Sequence, residues 1–452
     1  MPTELNHLVA AVKNLHEIAR EQDISEPLIQ ALLDITKEML NAPADAGSAP
    51  AKHFRKTLES LETGTNETEQ KLRETEDFTE SFQRIVELYN NYAQDFDLPT
   101  YQSAVQAKVI GKLSLKNFTV FENLDLSFAP GVNVIYGENG TGKSMLLKLI
   151  FSAVRAIESE KPHPDEFLRI LRSTFMVTEK DALIRFTSPG GSSSINYTYG
   201  DNLTVKKSPE IILKNGEKFT RYQNTLPAPE KDNPLCFIPS KEIVSAHSNL
   251  VSLIESDSLK LDETYRHFAQ LLSKGKVNGL YPKVEGLADQ CIKKFRIGTL
   301  EYDSDQDDFY IRRQTADAPM SVNMEAEGYR KIHTLLRLMK NGSIAPGKIL
   351  LWDEPETNMN SAILRDILDI LTELAVRHHV QVILASHSTF LGHYMDLKSL
   401  KEKTNIRFIN LYRTEAGIEH ETGAKLSDLS KLSVTKADVS IFREKSNLLW
   451  NA

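Results

Sequence analysis

The segment Gly137-Glu138-Asn139-Gly140-Thr141-Gly142-Lys143-Ser144 constrains this chain more than any other. An apolar run, residues 132–136, precedes it, and the helix-forming run 145–154 follows it. Strand, glycine-rich loop and helix in that order form a phosphate-binding loop, which belongs to α/β proteins. The glycines let backbone N–H groups of residues 137–142 turn inward on phosphate oxygens. Lys143 then reaches the β and γ oxygens, and Ser144 offers a hydroxyl to Mg²⁺. Gly137, Glu138, Asn139, Gly140, Thr141, Gly142, Lys143 and Ser144 are therefore the expected ATP-binding residues.

Further along stands Ile349-Leu350-Leu351-Trp352-Asp353-Glu354-Pro355-Glu356. A strand ending in two acids places Asp353 to hold Mg²⁺ with Ser144 and Glu354 to polarise an attacking water. After a helix expected over 363–377, the apolar run 380–385 ends in Ser386-His387-Ser388. An imidazole at the tip of a neighbouring strand suits the γ-phosphate or the attacking water, so Glu354 and His387 are the expected catalytic residues. His378, His379 and His393 lack that context and read as structural.

At 452 residues the chain exceeds one ordinary core. Residues 1–100 hold 19 acidic and 9 basic side chains, a balance of −10 against −8 for the whole, so the remainder sums to +2. Overall charge thus does not advertise a nucleic-acid binder, and DNA contact requires a local patch such as Lys293, Lys294, Arg296, Arg312 and Arg313. No apolar run approaches the ~20 residues of a membrane helix, and the first residues lack the pattern of an export signal. Two distant cysteines, Cys236 and Cys291, offer neither a zinc site nor a disulfide framework; a cytoplasmic location and no membrane partner are expected.

Residues 1–100 read as an acidic helical region with apolar stripes at 5–18, 28–40 and 78–92, interrupted by a loop at 41–50. These helices suit an oligomerisation or partner surface; a solvated charged face is the alternative. From Val109 the period changes to two, as in strands. Further strands are expected at 182–186, 195–199 and 211–213, a turn at Gly190-Gly191, and mainly helix over 242–295. The expected organisation is an all-α region (1–100), an α/β head (107–415) with a largely helical insertion at about 160–320, and a C-terminal extension (416–452).

The set formed by residues 137–144, 349–356 and 385–388 resembles the ATP-binding-cassette (ABC) ATPases. The likeness is to the soluble branch containing SMC, Rad50 and RecF proteins and the ATPase domain of OLD-family nucleases. It extends over about 107–415 and implies a P-loop NTPase head of ABC type, preceded here by the helical region. It also implies Mg²⁺ with ATP as substrate, and ATP sandwiched between two heads of a homodimer or higher homo-oligomer. The family's signature segment, which caps ATP from the opposite subunit, is replaced here by residues 324–330, where Gly328 opens a helix that points N–H groups toward a phosphate. Glu325 and Glu327 depart from the family pattern by placing negative charge there. No glutamine lies between Gln106 and Gln223, so the family's glutamine loop is missing or replaced. The chain has no room for a long coiled coil, and the 65 residues after His387 show no acidic cluster of a nuclease. Residues 236–256 and 261–272 resemble ATPases of bacterial phage-defence systems, the PARIS type among them, which implies a separate effector such as a nuclease.

Overall fold

The computed structural model describes residues 2–21, 27–41, 53–54, 56–58, 85–86, 89, 109–157, 164–185, 192–200, 210–214, 221–223, 235–245, 250–256, 258, 260–276, 281–313, 318–402, 406–415 and 417–432. The chain divides into two units, Met1–Gln106 and Ala107–Ala452.

In the first unit, helices α1 (Pro2–Glu21) and α2 (Pro27–Asn41) pack together. Leu8, Val12 and Leu15 recur at helical spacing and are buried, as are Ile29, Leu32, Ile35 and Met39. Of the third apolar stripe, Ile85, Val86 and Tyr89 are buried, and Tyr89 stacks on Phe54 with ring centroids 5.0 Å apart. The loop expected at 41–50 begins with Asn41, which ends α2; residues 42–50 and the stripe's other members lie outside the described residues, as do the turn at Gly190-Gly191 and residues 433–452.

The second unit is α/β. In chain order its elements are β1 (Val109–Phe118), β2 (Phe121–Ser127), β3 (Val132–Gly137), α3 (Lys143–Ile157), α4 (Pro164–Phe175), β4 (Ser192–Gly200), β5 (Glu210–Lys214), β6 (Arg221–Gln223) and β7 (Leu235–Ile238). There follow α5 (Leu250–Glu255), α6 (Glu263–Ser273), α7 (Pro282–Phe295), β8 (Thr299–Asp303), β9 (Asp308–Arg312), β10 (Met320–Ser321) and α8 (Glu327–Lys340). The remainder are β11 (Ile349–Asp353), α9 (Ser361–Arg377), β12 (Gln381–Ser386), α10 (Thr389–Glu402), β13 (Ile406–Thr414) and β14 (Gly417–Gly423).

The central sheet has the order β14-β13-β3-β12-β11-β7, parallel throughout except for β14, which runs antiparallel to β13. Its inner strands are buried along their whole length, as helices on both faces require. Alternation distributes the side chains: Leu350, Trp352, Val382 and Leu384 enter a core with α8 and α9, while Ile349, Leu351, Ile383 and Ala385 enter a second core with α3 and the antiparallel sheet β2-β1-β4-β5-β6. Gln381, fully buried, joins the two sheets. Its Oε1 accepts from Ile110 N–H at 2.9 Å, and its Nε2 donates to the carbonyls of Ile110 and Ala129, both at 2.9 Å.

Two expectations need correction. Residues 182–185 are not a strand: Lys180–Leu183 is a 3-10 turn, and Ile184 makes a single bridge to Phe118, while Phe186 lies outside the described residues. The insertion at about 160–320, expected to be helical, is helical in α5, α6 and α7 within 242–295 but also holds a separate antiparallel sheet of β8, β9 and β10. Short apolar content hid them: Leu300, Tyr302, Phe309 and Ile311 alternate among acids. β4, within the expected insertion, pairs with β1, and β14, within the expected C-terminal extension, pairs with β13, so both share sheets with the head.

Candidate functional site

Parallel strands put their C-terminal ends on one edge, where the loops after β3, β11, β12 and β7 converge. The loop between β3 and α3 turns by positive φ at Gly137 (148°), Gly140 (79°) and Gly142 (93°). Added Cβ atoms explain two of these glycines sterically. At Gly142 it would lie 2.5 Å from the Phe121 ring, and at Gly137 it would run into the carbonyl of Leu411. Thr141 Oγ1 closes the loop on the Glu138 carbonyl at 2.8 Å.

Lys143 folds back over this loop, its Nζ donating to the carbonyls of Gly137 at 2.8 Å and Glu138 at 2.9 Å. Burial lowers its pKa; Glu354, Asp353 and Glu356 pull the other way. Ser144 Oγ donates to Asp353 Oδ1 at 3.0 Å. Burial pushes the Asp353 carboxyl up to about 6, against the opposing effect of the Ser144 hydrogen bond. Together the hydroxyl and carboxylate are hard oxygen donors of the kind that hold Mg²⁺. Among the described residues no group of three or more His, Cys, Asp and Glu is placed to hold a metal. The pair therefore suits an ion that keeps waters and phosphate oxygens as its other ligands.

Glu354 adopts a left-handed backbone, φ 49°, fixed by its N–H donating to the Ala385 carbonyl at 2.9 Å. That kink turns its side chain toward His387, whose Nδ1 is 3.2 Å from Glu354 Oε1 and 3.6 Å from Glu356 Oε1. The acids at the end of β11 and the imidazole at the end of β12 thus form one cluster beside Lys143 and Ser144, as the motif order leads one to expect.

Gly328 is placed differently. It lies in the first turn of α8, where a Cβ would meet Ile363, Asn358 and Met359. The N-cap, Ala326, supplies no side-chain hydrogen bond. The two acids flanking Gly328 already have partners. Glu325 pairs with Arg313 at 3.0 Å and lies 3.5 Å from His333, and Glu327 accepts from Asn358 Nδ2 at 2.8 Å. Arg313 offsets the charge of Glu325, whereas Glu327 is hydrogen-bonded to a neutral amide and keeps its charge at this helix start.

Several neighbours escaped sequence reasoning. Lys331, buried on α8, donates to the Thr357 carbonyl at 2.6 Å. Burial lowers its pKa, opposed by Glu327, Glu356, Glu242 and Glu354. Arg330 pairs with Glu242 at 2.8 Å, tying α8 to the loop after β7, the strand next to β11. Lys148, one turn beyond Ser144, pairs with Asp262 at 2.7 Å, and burial pushes nearby Tyr265 up to about 12. No local pattern announces these partners, which are 26 to 114 positions apart in the chain. Of the candidate basic patch, Lys294 pairs with Asp366, Arg312 with Glu301 and Arg313 with Glu325.

Residues 112–276 match a family model described as "AAA domain", and residues 330–391 match one described as "AAA domain, putative AbiEii toxin, Type IV TA system". The first contains the phosphate loop and the second the acids and His387. The chain is 30% identical over 117 residues to the DNA replication and repair protein RecF of Carboxydothermus hydrogenoformans, covering 26% of this chain and 30% of that protein. It is 26% identical over 148 residues to the DNA double-strand break repair Rad50 ATPase of Archaeoglobus fulgidus, covering 32% of this chain and 12% of that protein. The chain thus spans a third or less of the length of these relatives. Among solved structures, an SMC head bound to the C-winged helix domain of ScpA is similar with a TM-score of 0.46 at 13% identity, covering 70% of this chain and 98% of that one. Over these stretches the chain is similar to AAA domain models and to parts of RecF and Rad50.

Proposed function

We propose that this protein binds ATP with Mg²⁺, hydrolyses it, and uses the cycle as a conformational switch. The observation that carries the reading is the convergence of Lys143, Ser144, Asp353, Glu354 and His387 at one edge of the central sheet. Backbone N–H groups of residues 137–142 and Lys143 hold the phosphates. Ser144 and Asp353 hold Mg²⁺, which would neutralise charge on the β and γ oxygens. Glu354 takes the proton of the attacking water, and His387, held by Glu354, contacts the γ-phosphate. Gly328 and the start of α8 cap the phosphate of a second copy, so that heads close as a homodimer or higher homo-oligomer on ATP and open after cleavage. The region 107–415 is the working head and 1–100 a partner or assembly surface. The partner is a separate effector such as a nuclease. Support comes from the matched model whose description mentions a toxin of a Type IV TA system. Among the described residues no helix is long and apolar enough to cross a membrane, and Cys236 and Cys291 are free thiols, which fits a cytoplasmic location.

A second reading, action on DNA, is favoured by the names of the RecF and Rad50 relatives. The pairing of Lys294, Arg312 and Arg313 with carboxylates weighs against that patch as the contact surface. DNA-stimulated turnover that persists when those three residues are neutralised points to DNA bound elsewhere. The test of the main reading is Glu354→Gln. ATP binding should persist while turnover falls by about 10²–10⁴-fold. Parental turnover in that variant removes Glu354 as the base.

A further inference from the structure

Glu356 is not needed by the reading above, yet it occupies the centre of the site. Its side chain is about nine-tenths buried, and Oε1 carries two hydrogen bonds from the neighbouring strand end: Ser386 Oγ donates at 2.7 Å and His387 N–H at 3.0 Å. Ser386 Oγ accepts in turn from Ser388 N–H at 3.0 Å. One carboxylate oxygen therefore closes a chain of hydrogen bonds around the backbone of residues 386–388. Oε2 is buried without a hydrogen-bond partner among the described residues. A carboxylate taken out of water at that cost is held for a geometric purpose when its only bonds run to one loop.

From this geometry we infer that Glu356 is the positioning residue of His387. It pins the tip of β12 to the loop after β11 and so delivers the imidazole to Glu354. The inference rests on the ATP-hydrolysing role of that cluster. Three features of the site support it. Both acids flanking Pro355 approach the ring of His387, at 3.2 Å from Glu354 and 3.6 Å from Glu356, but of the two only Glu356 also accepts from its backbone N–H. Lys331, buried on α8, lies close enough for its charge to be felt with that of Glu356 and fixes the same loop through the Thr357 carbonyl. The loop bearing Glu356 is thus anchored on its far side, and the tether pulls the imidazole to it and not the reverse. Moreover, the ring of His387 is about two-fifths exposed, so packing alone does not hold it.

Four variants test the inference: Glu356→Ala, Glu356→Gln, His387→Ala and the double Glu356→Ala/His387→Ala. Glu356→Ala should lower kcat for ATP by about 10- to 100-fold, the usual cost of losing a group that orients a functional side chain, with the ATP Kd little changed. Glu356→Gln keeps an acceptor oxygen for Ser386 and His387 and should recover most of the loss. The double variant should be no slower than the slower single one, because a histidine that is already misplaced has nothing further to lose. If the two losses multiply, Glu356 acts independently of His387 and the inference is overturned. A second readout does not depend on catalysis: the ring resonance of His387, assigned by its disappearance in His387→Ala, should shift in Glu356→Ala and return toward its parental position in Glu356→Gln. An unmoved resonance overturns the tether whether or not the parent hydrolyses ATP. A parent that binds ATP without cleaving it overturns the hydrolytic reading alone. Should Glu356→Ala not fold, Ser386→Ala removes one of the two bonds. It must move the same resonance, and the inference fails if it does not.

Discussion

Ser144 and Asp353, 209 positions apart in the chain, are joined by a 3.0 Å hydrogen bond between the first turn of α3 and the end of β11. The bond ties the glycine-rich loop's helix to the acidic strand end, and its acceptor is a carboxyl that burial disfavours as an anion.

A first prediction follows from that burial. The folded-state pKa of Asp353, about 6, is above its ordinary 3.8, so the folded protein holds the proton more tightly than the unfolded chain does. The charged carboxylate costs stability in full above about pH 6, the cost declines as pH falls through the window, and it is gone below about pH 4. With EDTA and no nucleotide, Asp353→Asn should therefore be more stable than the parent at pH 8, by up to about 3 kcal/mol, and equally stable near pH 4. Urea unfolding at the two pH values measures this. A variant less stable at pH 8 means that Asp353 is held as a favourable anion.

Gly142 combines positive φ with a Cβ position 2.5 Å from the Phe121 ring. Gly142→Ala should cost about 1–3 kcal/mol in backbone strain alone and lower ATP affinity at least about tenfold. Calorimetric titration with Mg-ATP beside a thermal melt checks both. Parental affinity would show that the loop binds phosphate without this turn.

Gln381 carries three buried backbone hydrogen bonds between the sheets. Gln381→Leu preserves much of the volume but leaves the Ile110 N–H without its acceptor and two carbonyls with one donor fewer. The expected loss is about 3 kcal/mol in equilibrium unfolding, since each buried orphan costs about 1–3 kcal/mol. A loss below about 0.5 kcal/mol means that water or a shift of β1 replaces the amide.

Gly328 has room for a methyl group if Ile363 Cδ1, at 3.3 Å, yields slightly. Gly328→Ala should therefore fold with stability within about 1 kcal/mol of the parent, helped by the better helix propensity of alanine. If the start of α8 caps a phosphate on a second copy, turnover per site will fall while the melting temperature holds. Unchanged turnover at all protein concentrations removes Gly328 from the site.

The central sheet and the convergence of the glycine-rich loop with the acids and His387 were legible because each rests on a contiguous run. Residues 132–144 contain strand, turn and helix start together, and residues 349–356 end an apolar strand in acids. What stayed hidden depends on distant partners or weak patterns. Gln381 reads as an ordinary polar residue at a strand start, and only the approach of β1, 271 positions away, shows why an amide belongs there. Arg330 and Lys331 read as the polar side of a helix until Glu242 and the Thr357 carbonyl face them. At 182–185 an apolar alternation of strand type yielded to a 3-10 turn, and the pairing with residues 117–119 is confined to the single bridge at Ile184 and the backbone bonds of Leu183 and Arg185 beside it.

The left-handed backbone of Glu354 has a consequence for how this protein tolerates change. A side chain there costs on the order of 1 kcal/mol that glycine would not, and every copy of the chain bears that cost to aim one carboxylate at the imidazole. If Glu354 is the base proposed above, robustness and turnover are opposed at this single position. Selection for heat resistance alone, with activity ignored, should enrich Glu354→Gly, and its products should be sturdier proteins that have lost the ability to cleave ATP.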